Sequence, residues 1–158
     1  FATEEIGQAI ESAGFQVMFT TFGAHPAACA AAAEVLEIIR EEELVESVVS
    51  KGEYLLGRLR DSLSQHPNLG EVRGKGLLAC VELVKNRETL EQFPIEASVT
   101  NKIIVKGLEK GVFFYGGGTG EVRDLVCFGP AFTISESQID QVVEVFTDCV
   151  NEVTSQLE

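Results

Sequence analysis

Residues 135–153 read SESQIDQVVEVFTDCVNEV, and this stretch carries the clearest secondary-structure signal in the chain. Ser135 followed three residues later by Gln138 forms a capping-box pattern, which is typical of a helix N-terminus. Behind this pattern, apolar residues recur at helical spacing and form one continuous stripe: Ile139, Val142, Val143, Phe146, Cys149, Val150 and Val153. The pattern predicts an amphipathic C-terminal helix that packs on a hydrophobic core.

Upstream of this helix, short apolar runs separated by glycine predict two strands and a further helix. Pro94 is predicted to open that helix, and Gly111 to end it. The two strands are expected at residues 112–115 and 125–128. The glycine-rich residues 116–120 between them are predicted to form a flexible loop.

The N-terminal half supplies two more helices. Pro26 suits the first position of a helix, where its missing N–H costs nothing, and the alanines of residues 27–33 predict a packed face on a helix that ends near Arg40. Leucines and valines at helical spacing predict a second helix over residues 45–63. The remaining segments are predicted to be a turn at 66–70, a buried strand over 76–84 and a surface loop over 85–93.

The order of these elements predicts an α+β fold in which a short sheet is covered by helices. Residues 1–24 do not join this pattern, and we expect them to belong to something larger. The chain has 158 residues, of which 45% are hydrophobic and 23% charged, so it can bury a core. This composition excludes disordered, collagen-like and coiled-coil proteins.

The net charge of −13 argues against binding to nucleic acid or to anionic lipid, because both carry negative charge. No uncharged run is apolar enough to predict a transmembrane segment, and the N-terminus lacks the pattern of a signal peptide. We therefore predict neither a nucleic-acid partner nor a membrane partner. Because the sequence starts with Phe1 instead of Met, we expect a fragment.

Four widely spaced cysteines stand among apolar residues, and no CxxC pair occurs. With only two histidines in the chain, a zinc site is not expected. We predict buried free thiols in a reducing compartment, which places the protein in the cytoplasm. The two histidines each precede a proline and are predicted to be structural. The cysteines are Cys29, Cys80, Cys127 and Cys149.

Three segments together resemble the class III (omega-type) aminotransferases, which depend on pyridoxal phosphate. Residues 20–30, TTFGAHPAACA, resemble the family segment that opens a long interdomain helix. Residues 71–78, EVRGKGLL, continued by VELVK at 81–85, are similar to the next family landmark. Residues 128–135, FGPAFTIS, resemble the aliphatic-Ala-Pro-Pro stretch before the final family helix. The segments follow the family order and spacing, and the resemblance covers essentially the whole chain.

The resemblance implies a homodimeric enzyme of fold type I, much longer than this chain, of which the chain matches only the C-terminal portion. Residues 1–25 then correspond to the end of the large cofactor domain and residues 26–158 to the small C-terminal domain. The family lysine that forms the Schiff base lies upstream of Phe1, and none of the six lysines here matches it. We therefore expect no catalytic residue within the chain, and no transaminase activity from the chain alone.

Thr21 is the predicted cofactor-binding residue. In the family motif, the matching threonine contacts the cofactor phosphate bound to the opposite subunit. A hydroxyl just ahead of a helix N-terminus is also a natural phosphate ligand, because free N–H groups and the positive end of the helix dipole converge there. The alternative is a threonine that only caps a turn.

Arg123 and Tyr115 are the predicted substrate-binding residues, since they flank the glycine-rich residues 116–120 and the family places this region near the active-site entrance. Arg123 could bind a substrate carboxylate; the alternative is a surface arginine paired with Asp124 or Glu121. The glycine run lacks the Gly-Lys-Ser/Thr ending of a nucleotide-binding loop, so a phosphate loop is not expected there.

Cys127 departs from the family pattern. Many class III members that act on α-amino acids carry an arginine just before the aliphatic-Ala-Pro-Pro stretch, where it clamps the α-carboxylate. A neutral thiol cannot replace a bidentate guanidinium. Either the donor has no α-carboxylate held there, or another arginine, Arg123, does the work. We predict an amine or ω-amino acid as donor and a keto acid as acceptor, with Arg123 binding the keto-acid carboxylate. Two alternatives stay open: another pyridoxal phosphate chemistry, such as decarboxylation or an aminomutase step, and a non-enzymatic α+β interaction domain.

Overall fold

The computed structural model describes residues 3–14, 21, 23–120 and 122–157. Three helices come first, followed by two strands, a helix, two further strands and a final helix; a short 3₁₀ turn at Ile95–Ala97 precedes the fourth helix. The helices are α1 (Glu4–Ser12), α2 (Pro26–Glu41), α3 (Leu44–Leu63), α4 (Val99–Glu109) and α5 (Glu136–Thr154). The strands are β1 (Leu69–Lys75), β2 (Leu78–Leu83), β3 (Tyr115–Thr119) and β4 (Val122–Phe128). None of the described helices is both long and apolar enough to cross a membrane.

The chain divides into two compact units, Phe1–Glu42 and Glu43–Glu158. In the first unit, the Thr3 hydroxyl caps α1, a helix that the sequence did not predict, and Pro26 begins α2 as expected. The prediction that α2 has a packed face is wrong for this chain, because no residue of α2 is buried. This division places α2 in the N-terminal unit. The domain boundary that we predicted between residues 25 and 26 concerns the full-length enzyme and stays a prediction.

The second unit confirms the predicted α+β fold. Its sheet is antiparallel with the strand order β1-β2-β4-β3. α3 and α4 pack on one face of the sheet, and α5 packs against α3 and α4, with the ring of Phe146 reaching Phe128 of β4. Residues alternate between the two faces of a strand, so Ala79, Val81 and Leu83 of β2 enter the core while Cys80 and Glu82 face away. We call the face that carries Cys80 and Glu82 the outer face of the sheet.

Two parts of the sheet differ from the sequence-based expectation. Strand β1 was not predicted, because it is an edge strand that contains charged residues and glycines and only two large apolar residues. Residues 116–119 are not a flexible loop but belong to β3, which pairs with β4 from Tyr115 opposite Cys127 to Thr119 opposite Val122. Glycine is needed there, since a Cβ atom on Gly117 would lie 2.8 Å from the Cys127 sulfur. The hairpin turn is therefore confined to the residues around Gly120.

The helices of the second unit largely confirm the sequence-based expectations. α5 begins with the predicted capping box, in which Ser135 and Gln138 each accept a hydrogen bond from the backbone N–H of the other. α4 begins at Val99, later than the expected start at Pro94, because Ser98 adopts a left-handed conformation (φ +47°) that separates the helix from the 3₁₀ turn. Three aromatic rings meet edge to face inside the core, with centroids 5.1–5.7 Å apart: Phe114, Phe128 and Phe146.

Candidate functional site

Thr21 lies in an exposed turn just ahead of α2, within the N-terminal unit. Ala24 is left-handed (φ +56°), and His25 occupies the N-cap position without a side-chain capping bond. The first turn of α2 also contains no acidic residue. The N-cap side chain therefore accepts no hydrogen bond from the first N–H groups of α2. A phosphate is the kind of group that accepts hydrogen bonds from such donors. Such donors suit the phosphate end of pyridoxal phosphate, and the assignment of Thr21 to that phosphate stays a prediction.

The six lysines of the chain all have side chains that are exposed or half-buried. A lysine that attacks a carbonyl near neutral pH needs a desolvated ammonium group with a lowered pKa. The pKa values of Lys106 and Lys110 are instead raised, because both ammonium groups bond to Glu152. Lys51 donates to the carbonyl oxygen of Phe132 at 2.6 Å. The assignment of the cofactor-binding lysine to a position outside the chain stays a prediction.

Arg123 lies in β4 beside the glycine-rich hairpin, and its side chain is half-buried. Its guanidinium donates to the carbonyl oxygens of Gly120 at 3.0 Å and of Phe93 at 3.2 Å. The expected alternative, an ion pair with Asp124, is not what the structure shows, and Glu121 lies outside the described residues. Because a guanidinium has five N–H donors, these two bonds leave donors free for a carboxylate. Together with Ser98, Arg123 lines a cavity of about 330 Å³ whose lining is part polar and part apolar.

Tyr115 begins β3 and is 67% exposed. It stands at the wall of a second cavity, of about 440 Å³, whose lining is mostly apolar and includes Phe113, Cys127 and Pro130. Arg123 does not line this cavity. The structure therefore places the two predicted substrate-binding residues on neighbouring strands but in different cavities.

A row of four residues crosses the outer face of the sheet, one from each strand. Arg73 of β1 lies opposite Cys80 of β2, Cys80 opposite Cys127 of β4, and Cys127 opposite Tyr115 of β3. The Arg73 guanidinium is held by two carboxylates, Glu71 Oε2 at 2.7 Å and Glu82 Oε2 at 2.9 Å.

The cysteines are not all buried as expected. Cys149 is buried in α5, Cys80 and Cys127 are half-buried, and Cys29 is exposed. The expectation is wrong for Cys29 because α2 has no buried face. All four are free thiols.

Asp124 is a buried carboxylate that the sequence analysis mentioned only as a possible partner of Arg123. It is 6% exposed, and its Oδ1 accepts hydrogen bonds from the backbone N–H and the hydroxyl of Thr100 at the start of α4. Burial raises its pKa, while the bonds from Thr100 oppose the shift. An aspartate inside an apolar strand is the only sequence signal that could have pointed to it.

The two histidines lie where the sequence places them, one at a helix cap and one in a turn, and only His66 makes a side-chain hydrogen bond among the described residues. His25 is the N-cap residue of α2. His66 lies in the turn after α3, where its Nδ1 accepts from the backbone N–H of Asn68 at 3.1 Å. Burial lowers the pKa of His66. Among the described residues, no group of three or more His, Cys, Asp and Glu side chains is placed to hold a metal ion.

The fold of this chain is that of a C-terminal domain of a transaminase. A transaminase from the marine bacterium Virgibacillus superposes with a TM-score of 0.88 at 30% sequence identity. The match covers 99% of this chain and 36% of that protein.

The sequence agrees with this class, since the profile of the class III aminotransferases matches residues 1–150. The chain belongs to the class III aminotransferase family. An uncharacterised aminotransferase of Schizosaccharomyces pombe is 41% identical over 88% of this chain and 31% of its own length. The taurine–pyruvate aminotransferase of Rhodobacter capsulatus is 37% identical over 79% of this chain and 27% of its own length.

The putrescine–pyruvate aminotransferase of Pseudomonas aeruginosa is 31% identical over 96% of this chain and 32% of its own length. The chain thus spans about a third of the length of the relatives that it matches. Family membership favours a transaminase over the alternative of a non-enzymatic α+β interaction domain.

Proposed function

We propose that the full-length protein is a transaminase that transfers an amino group between an amine or ω-amino acid and a keto acid, and that this chain is its C-terminal portion. The observation that carries the choice of donor is Cys127. The resemblance implies an arginine there in members that act on α-amino acids, and a thiol offers no charge to an α-carboxylate. On the same row of the sheet, Arg73 is already engaged by Glu71 and Glu82.

Two relatives support this choice of donor. They are named for taurine and putrescine as amino donors, and neither of these compounds carries an α-carboxylate. The acceptor named for both relatives is pyruvate, a keto acid. We propose donors and acceptors of the same chemical classes for this protein.

Pyridoxal phosphate is the proposed cofactor, and it supplies the electron sink for amino transfer. We assign Thr21 to its phosphate: the hydroxyl donates one hydrogen bond, and the first turn of α2 adds N–H groups and the positive end of its dipole. The family contact joins two subunits, so we propose a homodimer with a phosphate site shared between them. A mixed dimer with one Thr21→Ala chain should then lose tight cofactor binding at one site only.

Arg123 is the proposed carboxylate-binding residue for the keto acid. The two backbone carbonyls that it contacts hold the guanidinium beside the cavity that it lines with Ser98, and its remaining donors are available to a substrate. Tyr115 is proposed to contact the apolar part of the substrate from the neighbouring cavity. We also propose a cytoplasmic location, which free thiols favour.

The experiment that tests this function measures amino transfer to pyruvate by the full-length protein, with putrescine, taurine and ordinary α-amino acids as donors. We expect the amines or ω-amino acids to give the highest kcat/KM. If α-amino acids are the best donors, the argument from Cys127 is wrong. If carbon dioxide or a rearranged amine is formed instead of alanine and the deaminated donor, the protein runs another pyridoxal phosphate chemistry.

A second experiment tests the proposal that the chain alone is inactive. The 158-residue chain is incubated with pyridoxal phosphate, reduced with borohydride and analysed by mass spectrometry. We expect no specific adduct on any of its six lysines. One stoichiometric lysine adduct would overturn the assignment of the cofactor-binding lysine to a position outside the chain.

A further inference from the structure

Cys80 and Cys127 face each other across the two central strands of the sheet. They are register partners in the antiparallel pair β2–β4. The Cys127 thiol donates toward the Cys80 sulfur, with 3.8 Å between the two Sγ atoms, although the residues are 47 positions apart in the chain. The tertiary structure alone creates this pair.

The backbone geometry of the pair suits a disulfide. Directly opposed residues of an antiparallel pair have Cα atoms about 4.5–5.5 Å apart. Disulfides span Cα separations of about 4.4–6.8 Å. The two sulfurs can therefore approach to bonding distance by side-chain rotation, without displacement of either strand.

The surroundings of the pair give a reagent a route to one of the sulfurs. Both thiols lie on the outer face of the sheet, and Cys127 lines the apolar cavity beside the exposed Tyr115. Burial and the neighbouring Cys127 raise the pKa of Cys80 to about 11, while the cation of Arg73 acts in the opposite direction. Cys80 is therefore protonated near neutral pH, and Cys127 is the thiol of the pair that lines the cavity.

We propose that Cys80 and Cys127 form a reversible dithiol–disulfide site, with a low-molecular-weight disulfide such as oxidised glutathione as the oxidant. In the first step, the Cys127 thiolate attacks glutathione disulfide, which forms a mixed disulfide and releases one glutathione thiolate. In the second step, the sulfur of Cys80 loses its proton to solvent and attacks the Cys127 sulfur, which forms the protein disulfide and releases a second glutathione. Two protein thiols are oxidised, and one glutathione disulfide is reduced to two glutathione molecules.

The other two cysteines are internal comparators. Cys149 is buried in the core, and Cys29 is a single exposed thiol in the other compact unit. Only the facing pair has a second thiol in place, so its second step is intramolecular and has a high effective concentration. The site does not depend on the proposed transaminase function.

The test equilibrates the full-length protein in glutathione buffers, traps free thiols with N-ethylmaleimide and maps the peptides by mass spectrometry. We expect a Cys80–Cys127 disulfide in the wild type and accumulation of the Cys127–glutathione mixed disulfide in Cys80→Ser. We define the midpoint as the ratio of oxidised to reduced glutathione at which half of the protein is oxidised. This midpoint should be at least tenfold lower for the disulfide of the wild type than for the mixed disulfide of Cys80→Ser. If both thiols stay reduced at a ratio that modifies Cys29, the proposal is overturned.

A second measurement needs no substitution. Phenylarsine oxide condenses with two adjacent thiols to form a cyclic adduct with loss of water. In the folded wild-type protein, one arsenic should bridge the peptides that contain Cys80 and Cys127, and prior oxidation should prevent this. Absence of the bridged adduct from the reduced protein would equally overturn the proposal.

Discussion

The carboxylate of Asp124 caps the N-terminus of α4 from a different element of the fold. Its Oδ1 accepts from both the backbone N–H and the hydroxyl of Thr100, each at 3.4 Å. Thr100 is the second residue of α4, the position that an N-cap side chain normally serves. The helix's own N-cap residue, Ser98, makes no such bond. These two hydrogen bonds therefore link the N-terminus of α4 to the central strand β4.

Replacement of Asp124 by Ala should destabilise the protein by about 1–2 kcal/mol, because the helix loses its cap and buried donors lose their acceptor. Asp124→Asn keeps an acceptor oxygen and should cost less than about 1 kcal/mol. Urea unfolding of both variants measures the difference. Equal losses for the two variants would show that the contact contributes through charge and not through capping.

Gly52 and Gly57 lie on the same helix, α3, but in different surroundings. A Cβ atom on Gly52 would lie 2.4 Å from the carbonyl carbon of Gly76, and backbone cannot move aside cheaply. We expect Gly52→Ala to destabilise by about 1–3 kcal/mol. A Cβ atom on Gly57 meets nothing within 4 Å, so Gly57→Ala should stabilise by about 0.5–1 kcal/mol. Thermal unfolding of both variants tests this, and the same sign for both would contradict it.

Glu152 of α5 bonds to Lys106 and Lys110, at 2.7 Å and 2.5 Å, and these bonds lower its pKa from 4.5 to about 2. A carboxyl group with a lowered folded-state pKa stabilises the fold above its unfolded-state pKa and loses this effect as the pH falls toward the folded-state value.

The unfolding free energies of the wild type and Glu152→Gln should therefore differ near neutral pH. The difference should shrink as the pH falls from 4.5 to 2. Glu144→Gln is the control, since Glu144 is exposed on the same helix and forms no ion pair among the described residues. Chemical unfolding of all three proteins across this range is the measurement. A difference that is constant with pH would show that the ion pairs do not contribute.

Thr21→Ala in the full-length protein should weaken retention of pyridoxal phosphate about tenfold to a hundredfold. One hydrogen bond to a charged group contributes about 1.5–3 kcal/mol. Equilibrium dialysis of the cofactor, with circular dichroism to verify the fold, measures the effect. Thr20→Ala makes the same change one residue earlier and should have a smaller effect. An unchanged dissociation constant for Thr21→Ala would remove Thr21 from the site.

Arg123→Ala should slow the half-reaction with the keto acid at least tenfold, about 1.4 kcal/mol, and spare the half-reaction with an uncharged amine. Stopped-flow measurement of the two half-reactions separates these effects. Arg87→Ala is a matched control, because Arg87 also donates to two backbone carbonyls, those of Ser64 and His66, but lines a different cavity. If Arg123→Ala leaves both half-reactions unchanged, Arg123 is only structural.

Strong local signals allowed several elements to be predicted. The capping box and apolar stripe of α5, the proline that starts α2 and the spacing of α3 each act within a few residues of the chain. Strand β1 and the glycine-rich β3 carry no such signal, because they are edge strands whose conformation depends on pairing with β2 and β4. The sequence therefore predicted two strands approximately and misplaced or missed the other two.

The residues of the candidate site also fall into those that the sequence identified and those that only the tertiary structure revealed. The sequence by itself determined the family resemblance, the exposed turn residue Thr21 ahead of a helix and the departure at Cys127, because these depend on residue identity and order. Only the tertiary structure decided that Cys127 faces Cys80, that Asp124 caps α4 and that Arg123 and Tyr115 line separate cavities. The physical reason is that strand register brings together residues far apart in the chain, and no local pattern encodes that register.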